Sequence, residues 1–405
     1  MKRMVLVCSV FLLGLAVVFQ SSPTVAEEKK PVKFLLTAPL SGILGSVPDI
    51  GYGLMDAAQY INDTGGIGGR KLEAIVEDGR YDVPTIVGLF NKYAADEPKD
   101  EFLFFCPFAG PALKALREKA NQEEKIPVLG ASMTNQIFND RVSKDTPYYF
   151  TTGPGYNEQW AMVLKYIKKN HKKSTPPRVA LHYYDNSTGR EIHQSLRDYA
   201  KKYGIDLVMM EPFSPKAQTF APGFLKFRQK KVEYILFWNW SFKVGARYFK
   251  EVKKYLPNVP TYGVHWTAAN LFFHLAGDSY DGHYVVSGYP LETELDNTFI
   301  KNVTDMAKKK KRSIKTWGFY LQSWVMGQLA GEASRQVLRE GKPLTRANIR
   351  DALENIDTTL TGMFGGNKLD YTTHKFSQAR MLRADKGKKS LVPVTDWVDI
   401  YEYIK

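Results

Sequence analysis

The chain has 405 residues, 44% of them hydrophobic, and carries 56 Lys and Arg against 42 Asp and Glu for a formal net charge of +14. That length suits two domains, and the apolar content is that of a globular chain with real cores, which excludes a disordered or fibrous protein. Only Cys8 and Cys106 are present, too few for a disulfide framework.

Lys2 and Arg3 precede an apolar run over 4–19, and Thr24-Val25-Ala26 ends on small residues, so residues 1–26 are predicted to be a secretory signal peptide cut before Glu27. Cys8 lies inside that run without the small residues that precede a lipid-anchor cysteine, leaving Cys106 alone in the mature chain as a small apolar filler. No second stretch approaches the ~18 unbroken apolar residues of a membrane helix. A soluble, Sec-exported periplasmic protein is expected. Export sets aside the nucleic-acid reading that the positive charge invites. The densest basic runs, 168–173 and 308–312, fall at the ends of helix-like segments, where cations complement the helix terminus and face water.

Along the mature chain, short apolar runs of strand length alternate with segments of helical period, the pattern of a parallel sheet flanked by helices. Strands are predicted over 32–38, 71–77, 102–106, 127–130, 178–184, 206–210, 234–238, 261–264 and 283–287. Helices are predicted over 53–62, 85–95, 111–121, 159–169, 190–203 and 243–255, followed by a mostly helical region over 295–355 and a tail of short strands over 364–403. The glycines of Gly65-Gly66-Ile67-Gly68-Gly69 follow a helix and lead into a strand, the reverse of a phosphate loop, so they are read as a helix stop and turn.

Ligands of open α/β sheets bind outside the carboxyl ends of the strands. Here those ends offer hydroxyls and aromatics: Ser41, Ser46, Phe108, Ser132, Thr134, Ser187, Thr188, Trp238, Trp240 and Trp266. No nucleophile elbow, zinc signature or calcium loop occurs, and no metal or cofactor is expected. His182 lies within a strand and reads as a buried, satisfied imidazole. His265 admits two readings, ligand contact or structural hydrogen bonding, and Trp238 either lines the crevice or points into its sheet. An enzyme would need Asp185, Ser187 and His265 to meet.

The blocks VKFLLTAPLSG, GLMDAAQYINDTGGIGGRKLEAIVED, IPVLGASMTN and YYFTTGP resemble the periplasmic leucine/isoleucine/valine-binding family, the solute-binding subunits of ABC importers for branched-chain amino acids and their relatives. The resemblance covers nearly all the mature chain. It implies an α/β, two-lobed periplasmic-binding-protein fold, each lobe a mostly parallel sheet flanked by helices, with three hinge crossings. The implied lobes are 27–150 with 288–362, and 151–287 with 363–405. It further places carboxylate-holding positions on Ala109, Gly110, Ser132 and Thr134, an aromatic wall on Trp240, and Thr188 where an aromatic often stands. His265 falls where amino-acid binders carry an acid for the ligand's ammonium, so a free amino acid is disfavoured. The expectation is a monomeric, non-enzymatic capture protein for a small carboxylate with an apolar or aromatic body, working with an inner-membrane ABC permease. A ligand-sensing subunit for a receptor and a binder of a neutral amide or urea-like solute are the alternatives.

Overall fold

The computed structural model describes residues 29–42, 47–134, 137, 146–214 and 216–405; the predicted signal peptide and Ser46 lie outside them. Two sheets organise the chain. The first has order β2-β1-β3-β4-β5, from β1 (Val32–Ala38), β2 (Leu72–Asp78), β3 (Phe102–Pro107), β4 (Val128–Gly130) and β5 (Tyr149–Thr151), all paired in parallel. Helices Pro48–Asp63, Val83–Asp96 and Gly110–Ala115 connect these strands. Because such helices cover both faces, β3 is buried at every position and its sequence FLFFCP shows no alternation. Cys106 sits inside it, fully buried, and desolvation raises its thiol pKa far above the usual range.

Helix Pro48–Asp63 stops at the glycine cluster. Gly65 and Gly66 take φ of 99° and 67°, a region costly for residues with a Cβ, and the Gly66 N–H bonds to the Ile61 carbonyl at 2.9 Å. The glycines therefore turn the chain into β2, as the order helix, glycines, strand demands.

The second sheet follows the path β12-β11-β10-β9-β8-β6-β7. Its parallel part comprises β6 (Arg178–Tyr184), β7 (Asp206–Phe213), β8 (Tyr234–Trp238), β9 (Thr261–Gly263) and β10 (Tyr284–Ser287). The tail adds β11 (Gln378–Asp385), antiparallel to β10, then β12 (Ser390–Pro393) and β13 (Val398–Asp399), both pairing with β11. Helices Tyr156–Asn170, Ser187–Glu191, His193–Lys202, Ala221–Gln229, Phe242–Tyr255 and Leu271–Ala276 complete this half.

Between β10 and β11 the chain returns to the first half through helices Thr298–Lys309, Trp317–Arg339 and Arg346–Glu354. The longest lies along Pro48–Asp63 at a distance only glycine permits. A Cβ at Gly53 would stand 2.0 Å from the Tyr320 carbonyl oxygen, and one at Gly327 2.6 Å from Ala57 Cβ. The contact is fastened by polar groups. Arg312 grips buried Asp56 through two bonds of 2.8 and 2.7 Å, and the Tyr320 hydroxyl donates to the same carboxylate at 2.9 Å.

The architecture is the expected α/β arrangement of two parallel-sheet lobes with flanking helices. The differences in detail have local causes. The predicted helix 190–203 is two pieces, the first capped by Asn186, whose side chain accepts from Gly189 N. Predicted helix 111–121 breaks after Ala115 and resumes as a single π turn, Lys119–Glu123. Ala221–Gln229 and Leu271–Ala276 were not anticipated because FAPGFLKF and LFFHLA are aromatic-rich without a clear helical stripe; Phe224, Phe227 and Phe272 of these helices are buried. Among the described residues, no helix is long and apolar enough to cross a membrane.

Candidate ligand-binding cleft

Because parallel strands all run the same way, the loops after β3 and β4 leave the first sheet at one edge, and those after β6, β8 and β9 leave the second sheet facing them. A chamber lies there, walled by both halves. The first half contributes Val47, Tyr81, Phe108, Ala109, Gly110, Ala131, Ser132 and Phe319 to its wall; the second contributes Tyr156, Thr188, Trp238, Trp240, Ser241, Phe242 and Trp266.

The walls are aromatic and mutually braced. Phe108 meets Trp266 edge-on at 6.3 Å and Phe319 at 5.7 Å, so first-half rings already touch a second-half ring across the cleft. Trp238 is fully buried at the end of β8 and sits edge-on to Tyr156 at 4.7 Å; it belongs to the core and to the chamber floor at once. Trp240 packs on Tyr184 at 4.2 Å.

Polar groups are few and placed. The Trp266 indole N–H donates to the Tyr156 hydroxyl oxygen at 2.8 Å, and that hydroxyl also lies 3.2 Å from Ser132 Oγ. With the indole filling an acceptor site, the Tyr156 proton is directed to Ser132 or to a guest. Burial pushes the Tyr156 pKa well up, so the phenol stays neutral. Gly110 packs closely beside Ser132, where a Cβ would come 3.1 Å from Ser132 Oγ. At the edge, Arg80 and Tyr81 both have positive φ, 55° and 57°. Two such non-glycine residues in succession store backbone strain at the wall. Asp78 restrains the segment, accepting from Arg80 N, Leu40 N, Ser41 N and Ser41 Oγ.

Of the residues singled out in the sequence, Phe108, Ala109, Gly110, Ser132, Thr188, Trp240 and Trp266 are brought together on this wall. Two are not. Thr134 turns aside and donates to the Glu191 carboxylate at 2.7 Å, a bond from the first half to the second. His265 is drawn away by Gln159, whose Oε1 accepts from both the His265 backbone N–H and Nδ1, each at 3.1 Å. Desolvation lowers the His265 pKa to about 3, so the ring is neutral at pH 7. It lines a neighbouring cavity instead. Glu191 places an anionic group at the cleft, although not on the chamber wall. Tyr156, Tyr81, Phe242 and Phe319 were missed, although Tyr81 and Phe242 lie close in sequence to the recognised strand ends at 77 and 238.

The would-be catalytic group is dispersed into other bonds, Asp185 pairing with Arg190 at 2.7 Å and His265 with Gln159. Among the described residues, no group of three or more His, Cys, Asp or Glu side chains could hold a metal ion.

The periplasmic binding protein family model matches residues 31–389. A leucine-, isoleucine-, valine-, threonine- and alanine-binding protein of Pseudomonas aeruginosa is 22% identical over 215 residues, 53% of this chain and 55% of that protein. The match thus spans about half the length of that curated relative. A branched-chain amino acid ABC transporter protein of Thermus thermophilus with bound valine superposes with a TM-score of 0.80 at 22% identity, covering 91% of this chain and 97% of that one. A fatty acid ABC transporter substrate-binding protein of Thermomonospora curvata gives 0.77 at 16% identity, covering 91% and 92%. At these identities the likeness establishes the two-lobed fold. With the family model spanning most of its length, the chain belongs to the periplasmic binding protein family.

Proposed function

We propose that this protein is the extracytoplasmic solute-binding subunit of an ABC importer, capturing a small carboxylate with an apolar or aromatic body between its lobes and presenting it to an inner-membrane permease. The observation that carries this reading is the chamber itself: hydroxyls of Ser132 and Tyr156 on one side, and the flat rings of Phe108, Trp238, Trp240 and Trp266 around the rest. A hydrogen bond to a charged acceptor contributes about 1.5 to 3 kcal/mol, so two hydroxyls offset much of the desolvation of a carboxylate. Each ring buried against the guest adds area on the order of 150 to 250 Å². Residues 152–155, 288–297 and 363–377 connect the two sheets and serve as the hinge, with lobes 27–150 plus 288–362 and 151–287 plus 363–405. Relatives named for branched-chain amino acids and for fatty acids are compatible with a carboxylate guest.

Glu191 supports a second reading, an amino-acid-like solute whose ammonium meets that carboxylate on closure. The two are separated by one experiment. Purified mature protein is screened by thermal shift against apolar and aromatic monocarboxylates and the matching α-amino acids, since a cleft ligand raises the melting temperature by mass action. Monocarboxylate binding that survives Glu191→Gln supports the first reading; amino-acid binding that this change abolishes supports the second. No shift with either class removes both.

A further inference from the structure

A second chamber adjoins the first on the side of the connection after β10. The two share Phe242, Trp266 and Phe319 as wall. Trp266 and Phe319 stand 5.5 Å apart between ring centroids, and Phe242 meets Phe319 edge-on at 5.8 Å. The shared wall therefore consists of aromatic side chains in contact, with Trp266 also bonded to Tyr156, so a guest crosses it only when Trp266 or Phe319 changes rotamer.

Beyond this partition the surface is mostly apolar, with Ala268, Ala269, Leu291, Leu382 and Leu391 prominent. Most polar groups facing it are engaged within the protein, while His265 Nε2 is buried without a partner. Asn270 accepts from Leu391 N at 2.9 Å and donates to Glu292 at 2.6 Å. Thr316 donates to Asp49, and Ser287 Oγ to the Tyr289 carbonyl. His265, neutral at pH 7, brings no charge. Such a surface favours hydrocarbon.

We propose that the two chambers hold one elongated guest, a straight-chain or aryl-alkyl monocarboxylic acid whose carboxylate sits by Ser132 and Tyr156 and whose hydrocarbon passes between Trp266 and Phe319 into the second chamber. This rests on the carboxylate reading of the first chamber and adds to it the length and polarity of the ligand. Glu292 on the wall of the second chamber sets the direction, because a second carboxylate entering there would meet like charge.

The test is a calorimetric series from butanoate through hexanoate, octanoate and decanoate, with the α,ω-diacid of each length, on the mature protein and on two variants that fill the second chamber, Ala268→Phe and Leu391→Phe. Circular dichroism selects the variants that fold. The wild type is expected to gain about three- to fourfold in affinity per methylene that enters the chamber, to reject the diacids, and to lose that gain in either folded variant while butanoate binds within about twofold. Affinity that is flat with chain length in the wild type, or a length gain that both variants retain, overturns the inference and leaves the first-chamber reading intact. Failure of every acid to bind the wild type overturns the carboxylate reading and the inference with it.

Discussion

Tyr156 is the residue on which the polar side of the cleft converges. Its ring packs edge-on to Trp238 while its hydroxyl links Trp266 and Ser132. Tyr156→Phe keeps the ring and removes the hydroxyl with its bonds to Trp266 and Ser132, so carboxylate affinity is expected to fall about tenfold and stability by about 1 kcal/mol. Unaltered affinity by calorimetry would take Tyr156 out of the site. His182 makes a different prediction. It lies in β6 among Phe213, Phe224 and Phe227, bonded through Nδ1 to the Tyr248 hydroxyl at 3.1 Å, and burial lowers its pKa from 6.5 to about 3. His265 and His283 are lowered to about 3 by the same cause. The folded state binds fewer protons than the unfolded one between pH 6.5 and 3, so stability is held above pH 6.5 and lost as pH falls toward 3. Each such histidine contributes a slope of up to about 1.4 kcal/mol per pH unit. Urea midpoints measured from pH 7 to 4 should fall less steeply in His182→Phe, and identical slopes would show that His182 is not part of the acid sensitivity.

At the scale of elements, the decisive contact joins helices Pro48–Asp63 and Trp317–Arg339, more than 250 residues apart in sequence at Asp56 and Tyr320. Gly53 sets how closely they approach, since its added Cβ would meet backbone, which cannot rotate aside. Gly53→Ala should therefore destabilise toward the upper end of the ~1 to 3 kcal/mol typical of overpacking, despite alanine's better helix propensity. A urea transition unchanged from wild type would mean that the helices can separate without cost. Helix Trp317–Arg339 also brings Phe319 to the cleft, so this packing positions part of the site wall. That link was not legible in the sequence, where the run from Trp317 reads simply as a long buried helix.

For the whole molecule, the cleft is held shut by groups from opposite halves: Thr134 on Glu191, Ser132 on Tyr156, and Phe108 on Trp266. A ligand stabilises closure only through its preference for the closed form, and every bond the protein makes across the cleft lowers what the ligand must supply. Thr134→Val removes a hydrogen bond to a half-exposed carboxylate. Without ligand, small-angle scattering should show a larger radius of gyration, and ligand affinity should drop about fivefold. The same dimensions and affinity as wild type would deny the bond any part in closure.

The strands β1, β6 and β8 were legible to the residue because each is a predominantly apolar run of strand length, buried along most of its course. β5 was not, since three residues of YFT become a strand only when β4 offers an edge. The loops that carry Phe108, Ser132, Trp240 and Trp266 could be located from sequence because parallel strands deliver all their carboxyl ends to one side. Which way side chains turn from those loops is set by partners distant in sequence: Gln159 draws His265 out of the chamber, and Glu191 draws Thr134. Strand identity and loop order are local properties, written in residue pattern and chain direction. The composition of the chamber, and the second chamber behind Trp266 and Phe319, exist only once two lobes and a returning helix are packed together, because their walls are made of residues that meet nowhere along the chain.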